Sequence, residues 1–159
     1  MASTRILDLL APTAVCVHLD AADWRAVITA LGQRLHAAGC VRATFVQAAL
    51  DREAQLPTGL PLDGQFNAAI PHTDIEHVIT PALALATLAR PVEFRNMIDP
   101  DEAVPVQLVI LMAMEEAKSQ VEMLQEIAGV LQDPDLIAQL VAAGDEVAIR
   151  RVLEGVAAV

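Results

Sequence analysis

The apolar run from Val104 to Met112 constrains the fold more than any other segment of this chain. It is nearly unbroken and rich in β-branched residues, whereas a strand with one exposed face would alternate apolar and polar side chains. The run therefore predicts a strand buried on both faces, which implies an α/β layered domain. We place this domain over residues 1–159. Further strands are predicted at Thr13–Leu19, Phe66–Ile70 and Ala82–Leu88, with Pro91–Phe94 continuing or pairing with the last.

Helices are predicted where apolar residues recur every three or four positions. Asp20 is expected to be the N-cap of the first helix, and the negative charge of Asp23 is expected to interact favourably with the positive end of its dipole. Gly39 is expected to follow its last turn. The other helices are expected from about Arg42 to Leu56, from about Lys118 to Leu131 with Val121 facing inward, from Asp133-Pro134 to Val141, and from Gly144-Asp145 to about Leu153.

The charge of the chain excludes one class of partner and favours another. Its formal net charge is −11 in 159 residues, which would repel the phosphates of nucleic acid. The same charge suits a partner protein with a basic face, although an acidic surface also serves solubility alone.

The compartment is predicted from the cysteines and the apolar segments. Cys16 and Cys40 stand in apolar surroundings without ligand-type spacing, so we expect two buried thiols in a reducing environment. Residues Met1–Asp8 lack the long apolar core of a signal peptide. The longest apolar stretch, Ala103–Met114, is too short to span a bilayer. These features predict a cytoplasmic protein without direct membrane insertion.

The strongest candidate for chemistry is His72, which directly follows Ile70-Pro71 at the end of a predicted strand. Proline fixes φ and ends the ladder, so the next side chain is held in a defined direction. Histidine can be a neutral nucleophile near pH 7, and a rigidly held imidazole suits nucleophilic or proton-transfer chemistry. The alternative is an ordinary polar residue in a loop.

A metal site is a second interpretation of the polar cluster that contains His72, Asp74 and His77. Zinc sites use these residue types, but the spacing matches no strong motif. Asp74 is instead expected to cap the local turn, because its carboxylate bonds well to nearby backbone N–H groups.

Arg52 also has two interpretations. Arg52 and Glu53 lie near the end of a predicted helix, where they could form a solvated pair. If the following Pro57-Thr58-Gly59 loop folds back towards His72, Arg52 could instead hold a phosphate by charge-assisted hydrogen bonds.

Three motifs, taken together, resemble the EIIA domain of the fructose/mannitol class of the bacterial sugar phosphotransferase system. They are Arg52-Glu53, Pro57-Thr58-Gly59-Leu60 and Ala69-Ile70-Pro71-His72-Thr73. Within this class the segments most similar to galactitol-type EIIA proteins are Ile70-Pro71-His72-Thr73-Asp74, Pro91-Val92-Glu93-Phe94 and Lys118-Ser119-Gln120-Val121-Glu122-Met123-Leu124.

The resemblance implies a mixed β-sheet flanked by helices on both faces, and a phosphoryl carrier. It implies that HPr, a small phosphohistidine carrier, phosphorylates His72, and that the group then passes to a cysteine of EIIB for sugar uptake through EIIC. Arg52 and Thr58 are expected to face the phosphoryl oxygens. No metal or other cofactor is required. Two alternatives stay open: a regulatory EIIA of the nitrogen type, and a structural or metal-binding module.

One position departs from the family pattern. Many members carry a second histidine at the start of the helix that follows the long apolar strand, and the matching residue here is Gln120. Glutamine can donate a hydrogen bond but cannot carry a positive charge. We therefore expect Gln120 to approach His72 as a neutral donor and to leave it without a nearby cation that lowers its pKa. The alternative is a solvent-facing glutamine. His77 is not a sequence match for the missing histidine.

Overall fold

Six α-helices, one short 3₁₀ helix (Ile75–His77) and five strands make up the part of the chain that the structure describes. This structure is a computed structural model; it describes the backbone of residues 3–157 and the side chains of residues 6–155. Residues 1, 2, 158 and 159 of the expected domain lie outside this part. The helices are α1 (Ser3–Leu9), α2 (Trp24–Ala37), α3 (Phe45–Gln55), α4 (Ala117–Leu131), α5 (Pro134–Ala142) and α6 (Glu146–Ala157). The strands are β1 (Leu10–Leu19), β2 (Gly59–Leu60), β3 (Ala68–Ala69), β4 (Ala82–Arg95) and β5 (Ala103–Ala113).

The strands form one mixed sheet in the order β1-β4-β5-β3-β2. The pairs β1/β4 and β3/β5 are parallel, whereas β4/β5 and β2/β3 are antiparallel. The central strand β5 contributes Val109 and Leu111 to one core, and Leu108, Ile110 and Met112 to the other. Helices α2 and α3 cover the first core, and α1, α4, α5 and α6 cover the second. The predicted strand buried on both faces and the α/β fold class are therefore confirmed.

The start of α2 differs from the expectation. Asp23, not Asp20, is the N-cap, because its backbone is extended and its carboxylate accepts a 2.9 Å bond from the Ala26 N–H. Asp20 instead forms an ion pair with Arg90 at 2.6 Å. The end of α2 agrees with the prediction, since Gly39 follows it with a left-handed φ of 79°.

Several other boundaries also differ, and among them β1 begins at Leu10 rather than Thr13 and α6 ends at Ala157 rather than about Leu153. Helix α3 begins at Phe45 rather than Arg42, whose N–H donates to the carbonyl of His77 and so joins a neighbouring segment. The strand expected over Phe66–Ile70 is reduced to two residues, and β4 runs without a break through Pro91 across an irregularity in its pairing. In α4, Val121 is 56% exposed, and Met123 is buried in its place.

The predictions about the cysteines and membrane spans have different outcomes. Both thiols are free, and Cys16 is buried, but Cys40 is only half-buried. Among residues 3–157, no helix has both the length and the apolar character that a membrane crossing needs.

Candidate functional site

His72 is attached to the edge of the buried strand β5. Ala68 and Ala69 of β3 pair with β5, and beyond them the Met112 N–H donates to the carbonyl of Pro71 over 3.0 Å. A further bridge joins His72 itself to Met112. The imidazole therefore follows a backbone that the sheet holds on both sides of Pro71, so the pairing with β5 resumes beyond the proline that was expected to end it.

The tautomer of His72 is fixed by its own backbone. Its Nδ1 donates to the carbonyl oxygen of Ile70 over 2.9 Å, and because a carbonyl can only accept, Nδ1 carries the hydrogen. In the neutral ring the lone pair available for attack is then on Nε2.

The surroundings of His72 favour its neutral form. Burial lowers the pKa of His72 most, and the charge of Arg52 lowers it further, whereas the bond to Ile70 and the charge of Asp74 oppose these effects. The side chain is 7% exposed. The expectation that no nearby cation would lower this pKa was wrong, because Arg52 supplies that cation from α3.

Arg52 lies beside the same cavity as His72, so the loop does fold back as the second interpretation required. Its Nη1 lies 3.4 Å from Oδ1 of Asp74. Its Nε is buried and has no hydrogen-bond partner in the described part of the chain. The guanidinium of Arg52 thus keeps an unused hydrogen-bond donor near His72. Its pairing with the exposed carboxylate of Asp74 is weak, because water can take the place of that carboxylate.

Asp74 and His77 have roles other than those considered from the sequence. The Asp74 carboxylate does not cap the short 3₁₀ helix Ile75–His77; it pairs with Arg52 instead. Nδ1 of His77 is hydrogen-bonded to the hydroxyl of Thr44 at 2.8 Å. Within the described residues, no three side chains of histidine, cysteine, aspartate or glutamate are grouped so that they could hold a metal ion.

Glu53 is buried, contrary to its interpretation as part of a solvated pair. It is 3% exposed, and its carboxylate accepts bonds from the Thr58 N–H at 2.7 Å and the Thr58 hydroxyl at 2.9 Å. The Thr58 oxygen in turn accepts a 3.2 Å bond from the Ile70 N–H. The one hydroxyl hydrogen of Thr58 is therefore directed at Glu53 rather than at the space in front of His72.

Burial raises the pKa of Glu53 to about 7, while the two bonds from Thr58 and the charge of Arg52 act in the opposite direction. Sequence reasoning missed this residue as part of the site. The available signal was its place in the Arg52-Glu53 motif directly before the Pro57-Thr58-Gly59 loop.

Gln120 is half-buried in the first turn of α4. Leu124 and Ala128 follow it at one and two turns, and both line the cavity that contains His72. Residues four apart share one face of a helix, so Gln120 lies at the end of the face that α4 turns to the site. Its contact with a phosphoryl group stays a prediction.

The cavity beside His72 has a volume of about 570 Å³ and a largely apolar wall. Its apolar lining is Leu56, Pro57, Leu60, Ile70, Met97, Pro100, Leu124 and Ala128. Met97 and Pro100 come from the turn between β4 and β5. Met97 and Ile98 are 40% and 90% exposed there, and this apolar pair in a polar segment was the missed signal.

Comparison with known protein families shows the family to which this chain belongs. The family model described as "Phosphoenolpyruvate-dependent sugar phosphotransferase system, EIIA 2" matches residues 8–156. The chain belongs to this family. The family membership that the motifs suggested is thus confirmed. With it, the role of the chain as a phosphotransfer component of a sugar phosphotransferase system is confirmed as well.

Relatives within the EIIA family include galactitol-specific proteins. The galactitol-specific EIIA component of Escherichia coli strain K12 is 36% identical over 119 residues, which cover 75% of this chain and 78% of that protein. The corresponding protein of Escherichia coli O157:H7 matches to the same extent. The galactitol-type resemblance seen in the sequence motifs is therefore supported by similarity over most of the chain.

Solved EIIA structures share the fold. Enzyme IIA for mannitol, in its complex with phosphorylated enzyme IIB from Escherichia coli, is 25% identical with a TM-score of 0.74, covering 92% of this chain and 97% of that one. The nitrogen regulatory protein IIA-Ntr of Neisseria meningitidis is 22% identical with a TM-score of 0.73, covering 94% and 99%. The second likeness concerns the fold alone.

Proposed function

We propose that this EIIA protein is a phosphoryl carrier that accepts its phosphoryl group on Nε2 of His72. The observation that carries the proposal is the 2.9 Å bond from Nδ1 to the Ile70 carbonyl, which leaves the Nε2 lone pair free. The lowered pKa of His72 supports it, because burial favours the neutral ring, which is the form that can attack phosphorus. The carrier role as such agrees with the EIIA family.

The proposed transfer takes place in two in-line steps. First, Nε2 of His72 attacks the phosphorus of phosphohistidine on HPr; an N–P bond forms on His72 as the N–P bond of the donor breaks. In the second step a cysteine thiolate of EIIB attacks the same phosphorus, and the group leaves His72 as a new S–P bond forms. During the phosphorylated interval the ring acquires positive charge, which the carbonyl of Ile70 stabilises through its bond to Nδ1.

Charge stabilisation is assigned mainly to Arg52, because phosphoryl transfer depends on positioning and electrostatics. Its unused Nε and its weak pairing with Asp74 make its guanidinium available to the phosphoryl oxygens. Gln120 is assigned as a neutral donor from α4. Thr58 is assigned to the support of Ile70 rather than to the phosphoryl group, since its hydroxyl hydrogen is directed at Glu53.

The partners are proposed to dock over the apolar wall around His72. A cavity of about 570 Å³ exceeds what one phosphoryl group fills, so apolar side chains that flank the reactive residue of a partner can enter it. Exposed Leu56, Met97 and Ile98 extend this apolar area, and the net charge of −11 suits basic partner faces. HPr and EIIB are the proposed partners, with EIIC reached indirectly and the exchange placed in the cytoplasm.

A galactitol-type system is the proposed setting, on the basis of the 36% identity to galactitol-specific EIIA. The test combines purified protein with phosphoenolpyruvate, the general phosphotransferase enzyme and HPr, followed by EIIB proteins of galactitol and mannitol type. Preferred onward transfer to galactitol-type EIIB supports the assignment. Phosphorylation without transfer to any EIIB would favour a regulatory role of the nitrogen type instead. EIIB and EIIC genes beside its own would favour transport.

A further inference from the structure

A continuous set of hydrogen bonds links a buried carboxylate to the imidazole of His72. The carboxylate of Glu53 accepts the hydroxyl hydrogen of Thr58, the Thr58 oxygen accepts the N–H of Ile70, and the Ile70 carbonyl accepts the Nδ1–H of His72. A second bond, from the Thr58 N–H at 2.7 Å, anchors the loop to the same carboxylate. The phosphoryl-carrier mechanism proposed above uses the bond from His72 to Ile70 and the support of Ile70 by Thr58, but it gives Glu53 no role.

We propose that Glu53 is a positioning residue, whose carboxylate orients Thr58 and, through Thr58 and Ile70, holds the tautomer of His72. It does not touch the phosphoryl group. The proposal rests on the proposed function in one respect, namely that Nε2 of His72 is the phosphoryl acceptor.

The direction of each bond follows from what each group can donate. A hydroxyl has one hydrogen, and an ionised carboxylate only accepts, so Glu53 draws that hydrogen and turns a Thr58 lone pair towards the Ile70 N–H. A donor in place of Glu53 would compete for that oxygen. Because Glu53 can only accept, the hydrogen bonds from Thr58, Ile70 and His72 all keep the same direction of donation.

The backbone at Ile70 has a particular need for this support. Pro71 has no N–H, so the peptide unit that carries the Ile70 carbonyl lacks a donor of its own. The contacts that fix it lie on either side: the Ile70 N–H bonds to Thr58, and the Pro71 carbonyl accepts from Met112. Loss of the Thr58 contact would leave only the Pro71 side held, and the carbonyl that binds Nδ1 could rotate.

Two arginines stand near the carboxylate of Glu53. Arg52 adjoins it on α3, and Arg95 of β4 lines a small cavity together with Glu53. The remaining lining of that cavity, including Trp24, Pro57 and Pro100, is uncharged. Near neutral pH the carboxyl group of Glu53 titrates in this setting, and protonation would turn one of its acceptors into a donor.

Glu53→Gln is the first test, since it keeps the shape and exchanges one acceptor for an NH₂ donor. The direct measurement is the ¹⁵N and ¹H NMR spectrum of the His72 ring, which shows which ring nitrogen carries the hydrogen. This measurement needs no phosphoryl donor. Wild-type protein, measured at a pH well above the Glu53 pKa of about 7, should show hydrogen on Nδ1 alone. Glu53→Gln should show a mixture of tautomers, and its phosphorylation by HPr should slow by roughly 10- to 100-fold.

Matched variants separate positioning from a general loss of structure. Asp51→Asn removes an exposed carboxylate from the same helix and should leave the His72 spectrum unchanged. Thr58→Val should reproduce the effect of Glu53→Gln, whereas Thr58→Ser, which keeps the hydroxyl, should restore the wild-type spectrum. The wild-type pH–rate profile should also have a step near pH 7 that Glu53→Gln lacks.

The outcomes distinguish this proposal from the phosphoryl-carrier assignment. A folded Glu53→Gln protein with hydrogen on Nδ1 alone and a wild-type rate would overturn the positioning role. If Glu53→Gln does not fold, a folded Thr58→Val protein with hydrogen on Nδ1 alone and a wild-type rate would overturn the positioning role. If the wild type accepts no phosphoryl group on His72, the carrier assignment fails, and the tautomer spectra still decide whether Glu53 orients the ring.

Discussion

Nδ1 of His72 lies 2.9 Å from the carbonyl oxygen of Ile70, only two residues before it in the chain. This bond places the ring hydrogen on Nδ1 and leaves Nε2 with the free lone pair, in a residue that lines the cavity. The strand β5 holds the same segment from its other side through Met112 and Pro71. The ring of His72 is thus oriented by the backbone of Ile70, and the proposal above assigns the support of that backbone to Thr58 and Glu53.

Removal of the Arg52 side chain should slow transfer more than it affects folding. Arg52→Ala should lower the rate of His72 phosphorylation by an amount equivalent to at most about 2–4 kcal/mol, the loss of one preorganised donor. Its melting temperature should change little, because the pair with Asp74 is long and partly solvated. Single-turnover transfer from phospho-HPr and thermal unfolding are the two measurements.

The matched control for Arg52→Ala is Arg90→Ala, which removes an exposed arginine that also pairs with an aspartate. It should change neither the transfer rate nor the melting temperature appreciably. A normal transfer rate in Arg52→Ala together with a large loss of stability would show that Arg52 is structural.

Replacement of Gln120 by histidine should make transfer more dependent on pH. An imidazole at the start of α4 would add a second titrating group near His72, so the rate of Gln120→His should vary more steeply between about pH 5 and 8 than that of wild type. Glutamine cannot titrate, and the present site should lack that contribution. Superimposable pH–rate profiles for the two proteins would place Gln120 outside the reacting region.

The pH dependence of stability should reveal the buried carboxyl group of Glu53. Its pKa in the folded protein, about 7, is above its ordinary value of 4.5, so between these values the folded state binds a proton that the unfolded chain has released. The free energy of unfolding should therefore fall as pH rises through this window, by up to about 3 kcal/mol. Glu53→Gln should lack this decrease.

His72 contributes with the opposite sign and must be removed for a clean measurement. Its pKa is lowered by burial, so the unfolded chain binds more protons below about pH 6.5, and stability falls as pH decreases there. Urea unfolding of His72→Gln and of His72→Gln/Glu53→Gln, from pH 4.5 to 8, isolates the Glu53 contribution. Parallel curves for the two proteins would contradict the raised pKa of Glu53.

The parts of this fold that follow from local pattern could be predicted from the sequence. The strand at Val104–Met112, the glycine after α2 and the helices α4 to α6 each depend on periodicity or on a cap that neighbouring residues define. The place of His72 directly after a short strand follows from the same kind of local pattern, the Ile-Pro-His order, while its role as the phosphoryl acceptor stays a prediction.

The features that depend on tertiary contacts could not be predicted in this way. The two-residue strands β2 and β3 exist because β5 supplies a partner, and no local pattern sets their length. Glu53 looks like a solvated helix-end residue until Thr58 is seen to fold over it. Helix α1 was not predicted at all; its short segment gains its stability from packing against the second core through residues such as Ile6.

The central claim is that His72 alone carries the phosphoryl group. The most direct measurement is mass spectrometry of the intact protein and its peptides, after incubation with phosphoenolpyruvate, the general phosphotransferase enzyme and HPr. We predict one acid-labile phosphoryl group on the wild type, located on His72, and none on a folded His72→Gln protein. A label that persists in His72→Gln, or that maps to His77, would contradict the account.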